Sequence, residues 1–145
     1  MIKYILTEET KEVNGIILHR IEAVMDFADV KAGDKGGWIE KEENLSHQGD
    51  AWVYDSAWVS GSACVSDSAR VSGSADYIVF KNWWSSGRYF TWTRSNNMWK
   101  VGCFYGTGEE LIKKAYADSE KSGREYERVV KYVESILADE KENKE

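Results

Sequence analysis

Between Ala51 and Ser74 the chain alternates small, variable, aliphatic and polar positions with a period of six: AWVYDS (51 to 56), AWVSGS (57 to 62), ACVSDS (63 to 68) and ARVSGS (69 to 74). Weaker copies flank them, LSHQGD (45 to 50) and ADYIVF (75 to 80). A period of six does not fit a helix and contains the two-residue period of a strand. The Ala and Val of each copy therefore share one face, while Trp52, Trp58, Cys64 and Arg70 between them point the other way. Each copy ends in Asp-Ser or Gly-Ser, residues that accept left-handed backbone or bond to it through a short side chain. The pattern predicts short strands and corners, with alanine and valine inside and the tryptophans outside.

Upstream, two extended apolar runs flank Asn14 and Gly15, a strong hairpin signal, and Gly33, Gly36 and Gly37 precede Trp38 as a turn that feeds the first hexad. This hairpin is expected to lid one end of the repeat. Downstream, RYFTWTR (88 to 94) and MWKVGCF (98 to 104) alternate around Ser95, Asn96 and Asn97, predicting a second hairpin. Thr107 and Glu110 have the spacing of a capping box, so a helix begins there and is expected to end at Ser122 and Gly123. A second helix from about Arg124 carries Tyr126, Val129, Val130, Val133, Ile136 and Leu137 as one apolar stripe, and the last seven residues are expected to fray. The reading is mainly β with C-terminal helices (α+β), in three parts: 1-38, 39-80 and 81-145.

The hexads resemble those of hexapeptide-repeat proteins, and the whole arrangement is similar to small members of that group found in bacteriophages and prophages, often described as hypothetical proteins or transferases. The resemblance implies a left-handed parallel β-helix of about two coils, in which residues eighteen apart stack: Ala51 on Ala69, Val53 on Val71, Trp52 beside Arg70, Trp58 beside Asp76. It also implies threefold packing of subunits. With apolar rings on the outside, a homo-oligomer is expected, trimer first and dimer second, with Trp52, Trp58 and Arg70 at its interface.

Charge narrows the partners. The 145 residues carry a net charge of -6, which argues against binding extended duplex DNA. Yet residues 51 to 106 hold five basic and three acidic side chains, and no Asp or Glu lies between Asp76 and Glu109. Within that stretch Lys81, Trp83, Trp84, Arg88, Trp92, Arg94, Trp99 and Lys100 interleave stacking faces with cations, a pattern suited to an anionic, nucleotide-like ligand. The competing reading is that most of these rings are core. Two cysteines far apart suggest neither a disulfide framework nor a zinc site, and a reducing cytoplasm is the expected compartment. No membrane span, signal peptide or cofactor motif is read; GTGEE lacks the lysine of a phosphate-binding loop.

Catalysis has few candidates. Acyl transfer, the activity common among hexapeptide-repeat proteins, needs a base for the acceptor's proton, and the chain has only His19, on a predicted strand, and His47, at an inward hexad position. The hexad serines are accounted for by turns, and Cys64 and Cys103 have no histidine next to them in sequence. A non-enzymatic binding protein directed at a host factor or an anionic ligand, in the manner of an antagonist of bacterial defence, is therefore the leading expectation. A coenzyme A-dependent acyltransferase and a structural assembly protein are the alternatives.

Overall fold

The computed structural model describes residues 2–143. Strands β1 (Tyr4–Val13) and β2 (Ile16–Ala23) turn through Asn14 and Gly15, both with positive φ (52° and 83°), as the hairpin signal requires. β3 (Lys35–Ile39) pairs antiparallel with β2 and then, on its other edge, parallel with β5 (Trp58–Val59). β4 (Trp52–Val53) pairs parallel with β6 (Arg70–Val71), and Leu45 bridges Val65, again parallel. β7 (Tyr77–Lys81), β8 (Tyr89–Thr93), β9 (Met98–Val101) and β10 (Phe104–Gly106) form an antiparallel meander. Helices α1 (Gly108–Asp118) and α2 (Glu120–Asn143) complete a mixed α+β fold that is mainly β.

The hexad pattern sorts inside from outside. Val53, Val59, Val65 and Val71 are fully buried, and Ala51, Ala57, Ala63 and Ala69 are nearly so. Corners fall at the fifth position of successive copies: Gly49, Asp55, Gly61 and Asp67 all have positive φ, between 50° and 75°. Glycine accepts this conformation freely and aspartate better than most residues. Gly73, the next in the series, is extended instead (φ -164°), and there the repeat gives way to β7.

Three expectations need correction. The hexads do not stand apart as a regular solenoid, because the β3–β5 ladder is continued by the antiparallel β1–β2 hairpin into one four-stranded sheet. The eighteen-residue offset holds for Trp52 with Arg70 and Val53 with Val71. Trp58, however, takes Trp38 as its partner and leaves β5 at the sheet edge, and Leu45 takes Val65, both offsets of twenty. The two extra residues lie between Leu45 and Trp52, which stand seven apart where their partners Val65 and Arg70 stand five apart.

Trp52 is the second correction: it points out of the repeat but only 2% of it meets solvent. Tyr4 and Phe27 cover it edge-on, their ring centroids 6.2 and 5.2 Å away. Gly36 makes the space, since a Cβ there would lie 2.7 Å from the Trp52 ring. Trp58 is half-buried. Arg70 is exposed but engaged within the chain, paired with Asp29 at 3.3 Å and donating to the Tyr54 hydroxyl at 3.1 Å.

Third, the helix break lies at Ser119, not at Gly123. Ser119 Oγ accepts from the Ser122 amide at 3.1 Å and opens α2, whereas Gly123 sits inside α2 with the Tyr116 ring lying on its bare Cα. α2 also runs on through Asn143, where fraying was expected, held partly by the ion pair between Glu140 and Arg94; residues 144 and 145 lie outside the described residues. The capping box is as the spacing predicts: Thr107 Oγ1 accepts from the Glu110 amide at 3.2 Å, and Glu110 accepts from the Thr107 amide at 2.9 Å.

Two cores result, one inside the hexads and hairpin, the other between the meander and the helices. Period-two alternation puts β7 in both: Tyr77 and Val79 pack on the first core, Ile78 and Phe80 on the second. The meander also caps the open edge of the repeat, with Thr91 Oγ1 accepting from the Cys64 amide (3.0 Å) and Ser95 Oγ from the Arg70 amide (2.7 Å). Unpaired strand N–H groups are thereby satisfied without a further coil.

Candidate functional site

Where the hexads meet the meander, two cavities adjoin. The larger, about 540 Å³, is lined by Glu42, Glu43, His47, Cys64, Ser66, Asp67, Lys100 and Tyr105 among others. The smaller, about 350 Å³, includes Lys41, Arg88, Tyr89 and Thr91. Both share Glu43, Cys64 and Lys100, so together they form one groove with an acidic end and a basic end.

Buried polar groups hold the walls. Asn44 is fully buried and its amide donates to the Gly61 and Ala63 carbonyls (3.1 and 2.9 Å) while accepting from the Lys41 amide (2.9 Å). It thus ties the segment bearing Lys41, Glu42 and Glu43 to the hexad segment that bears Cys64. Tyr4 donates its buried hydroxyl to the Leu45 carbonyl at 2.6 Å. Burial and the charge of Glu42 push its phenol well above the ordinary range. Lys3, 2% exposed, donates to the Ala51 carbonyl at 2.6 Å and lies 4.8 Å from the Phe27 ring centre. Burial lowers its pKa to about 8, with Asp50 acting in the opposite direction. None of these three residues is marked by the hexad pattern, because each is defined by what crosses over it from elsewhere in the chain.

His47 stacks on Tyr4, centroids 4.1 Å apart and planes 12° from parallel, and is half-buried. Its Nδ1 accepts the Lys3 amide at 3.1 Å. That assigns the neutral ring's proton to Nε2 and leaves no free lone pair for a substrate's proton. Cys64 lines the same cavity, a juxtaposition invisible in the sequence, and its thiol contacts Ser66 Oγ at 3.3 Å. Tyr105 receives a hydrogen bond from Asn96 at 2.7 Å; burial, then the charge of Asp67, raises its pKa.

The eight residues singled out by their aromatic and basic pattern do not share one place. Arg88 and Lys100 line the groove. Trp92 and Trp99 are buried in the second core, 0% and 1% exposed, where they present no face to solvent. Arg94 is half-buried, donating to the Ala75 carbonyl at 2.9 Å and pairing with Glu140. Lys81, Trp83 and Trp84 line a separate notch against α2, where Trp84 packs on Tyr126 and donates to Ser122 Oγ at 3.1 Å. Both faces of β8 are covered: Phe90 and Trp92 by the second core, Thr91 and Thr93 on the hexad side.

Among the described residues, Lys41, Arg88 and Lys100 are in no ion pair, and no cluster of His, Cys, Asp and Glu is placed to hold a metal ion. No helix among them is long and apolar enough to cross a membrane. No family model matches the chain. Over 63 residues it is 40% identical to the uncharacterized acetyltransferase YdcK of Escherichia coli (strain K12), a match covering 38% of this chain. The chain thus spans about a fifth of that relative's length, the matched part being 19% of it. This partial likeness suggests a hexapeptide-repeat, transferase-like relationship.

Proposed function

We propose that the groove binds an anionic, nucleotide-like ligand without transforming it. The observation that carries this reading is the convergence of Lys41, Arg88 and Lys100, free of ion pairs among the described residues, on one cavity of a chain whose net charge is -6. Exposed Tyr89 at the same end offers a stacking face beside the cations. The acidic end, with Glu42 and Asp67, suits amino or ring N–H donors on such a ligand. The three successive parallel ladders support a further inference, that the hexads wind as about two coils of a left-handed β-helix. A small phage-type protein built this way, assembled as a trimer or dimer, would act by withholding its ligand from a host defence effector.

Acyl transfer is the second reading, favoured by the likeness to YdcK. Against it stands His47, whose Nδ1 lone pair is already used by the Lys3 amide. Native mass spectrometry, then calorimetric titration with nucleoside diphosphates, cyclic dinucleotides and acetyl-coenzyme A, separates the two. Retention of a nucleotide that Lys100→Glu abolishes supports binding. Turnover of acetyl-coenzyme A that His47→Ala removes overturns it.

A further inference from the structure

On the far side of β7, a notch of about 410 Å³ is lined by Phe80, Lys81, Trp83, Trp84 and, from α2, Glu125, Arg128, Val129 and Tyr132. Two of its rings lie mostly in water, Trp83 at 68% and Tyr132 at 57% exposure. Exposed aromatics of that size are uncommon on a protein surface unless something covers them. The α2 residues fall on one stripe at helical spacing, and Lys121, one turn before Glu125, extends it with its ammonium 5.7 Å from the Trp83 ring centre. Around the rings stand Lys81, Lys121 and Arg128 against a single carboxylate, Glu125, which Arg128 already neutralises at 2.5 Å. Lys81 also lies 5.8 Å from the Tyr89 ring centre, and Tyr89 belongs to the groove, so aromatic and basic groups continue from one cavity towards the other.

We propose that this notch binds single-stranded nucleic acid, with bases stacked on Trp83 and Tyr132 and phosphates held by Lys81 and Lys121. Open π-faces beside cations take any base, whereas a duplex hides its faces and offers only charge. A second copy is the rival occupant. Twofold packing through this patch would set its surplus of cations against the same surplus on its own copy. The proposal does not depend on the groove ligand, since the notch has its own lining.

The test is fluorescence anisotropy with a labelled oligothymidylate and oligouridylate about a dozen nucleotides long, and a duplex of the same length, each at two salt concentrations. Single strands are expected to bind, the duplex more weakly, with affinity falling as salt rises at a log–log slope of about -1.4 for two phosphate contacts. Trp83→Ala and Tyr132→Ala should each weaken binding about tenfold. Both side chains are exposed, so the circular dichroism spectrum should not change. If either variant loses structure, the double reversal Lys81→Glu and Lys121→Glu takes its place and should abolish binding. Lys31→Glu, exposed and lining neither the notch nor the groove, should leave the single-strand affinity within about twofold. Absence of single-strand binding, equal affinity for the duplex, or indifference to Trp83→Ala overturns the proposal. So does a drop in assembly mass by light scattering for Trp83→Ala, which would assign the notch to subunit contact.

Discussion

Replacing Asn44 by alanine removes three hydrogen bonds at once from a fully buried side chain, and leaves the Ala63 carbonyl unpaired where both partners were buried. The Gly61 and Ala63 carbonyls and the Lys41 amide each lose their side-chain partner, while the backbone bond from the Val65 amide to the Asn44 carbonyl stays. A net bond contributes about 1 kcal/mol, and a buried group left unpaired costs about 1–3 kcal/mol, so a loss of about 3–5 kcal/mol is expected. Against a total stability of roughly 7–20 kcal/mol for a chain of this size, that is a large fraction. Urea unfolding followed by circular dichroism and tryptophan fluorescence measures it. Asn44→Asp separates hydrogen bonding from shape. At neutral pH its carboxylate would face two carbonyl oxygens, so it should be no more stable than the alanine variant. The folded state would hold its proton more tightly than the unfolded chain, so stability should recover as pH falls through the raised folded pKa towards about 4. A loss below about 1 kcal/mol for Asn44→Ala would refute the reasoning, since relaxation or water would then have replaced all three bonds.

Three further outcomes follow from the packing. Gly36→Ala places a methyl 2.7 Å from both the Trp52 ring and the Val53 carbonyl, and should cost about 1–3 kcal/mol or more in urea unfolding and redden the tryptophan emission. Gly123→Ala should destabilise although alanine favours helix by about 1 kcal/mol, because its Cβ meets the Tyr116 ring; in a Tyr116→Ala background the same change should stabilise. For Lys3 the folded pKa of about 8 lies below the unfolded value of 10.5, so the unfolded chain binds more protons between them and stability rises with pH across that window. The rise should be no steeper than about 1.4 kcal/mol per pH unit, and Lys3→Met should abolish it; denaturant midpoints from pH 8 to 10 read both.

What the sequence made legible was whatever repeats or caps locally. Alanine and valine at two-residue spacing, corners at Asp55, Gly61 and Asp67, the turn at Asn14 and Gly15, and the box of Thr107 and Glu110 are all set by neighbours a few residues away. Trp52 was misplaced because its cover comes from Tyr4 and Phe27, remote segments that carry no periodic mark. The twenty-residue offsets were hidden for a similar reason: the two extra residues fall between Leu45 and Trp52, where the weak copy LSHQGD carries no mark of them. In the aromatic stretch, strand alternation separates Phe90 and Trp92 from Thr91 and Thr93 but does not say that both faces are covered. The groove itself joins segments around residues 41 to 49, 61 to 67 and 88 to 105, and only the folded chain brings them together.

Because alternate side chains of β7 belong to different cores, neither half of this molecule is a portable module. Recombination that exchanged the C-terminal sheet and helices for another partner would have to supply a strand whose odd positions suit the hexads and whose even positions suit the newcomer. Lineages carrying this architecture should therefore inherit both halves as one block, with length variation gathering in the loop before β8 and at the chain ends.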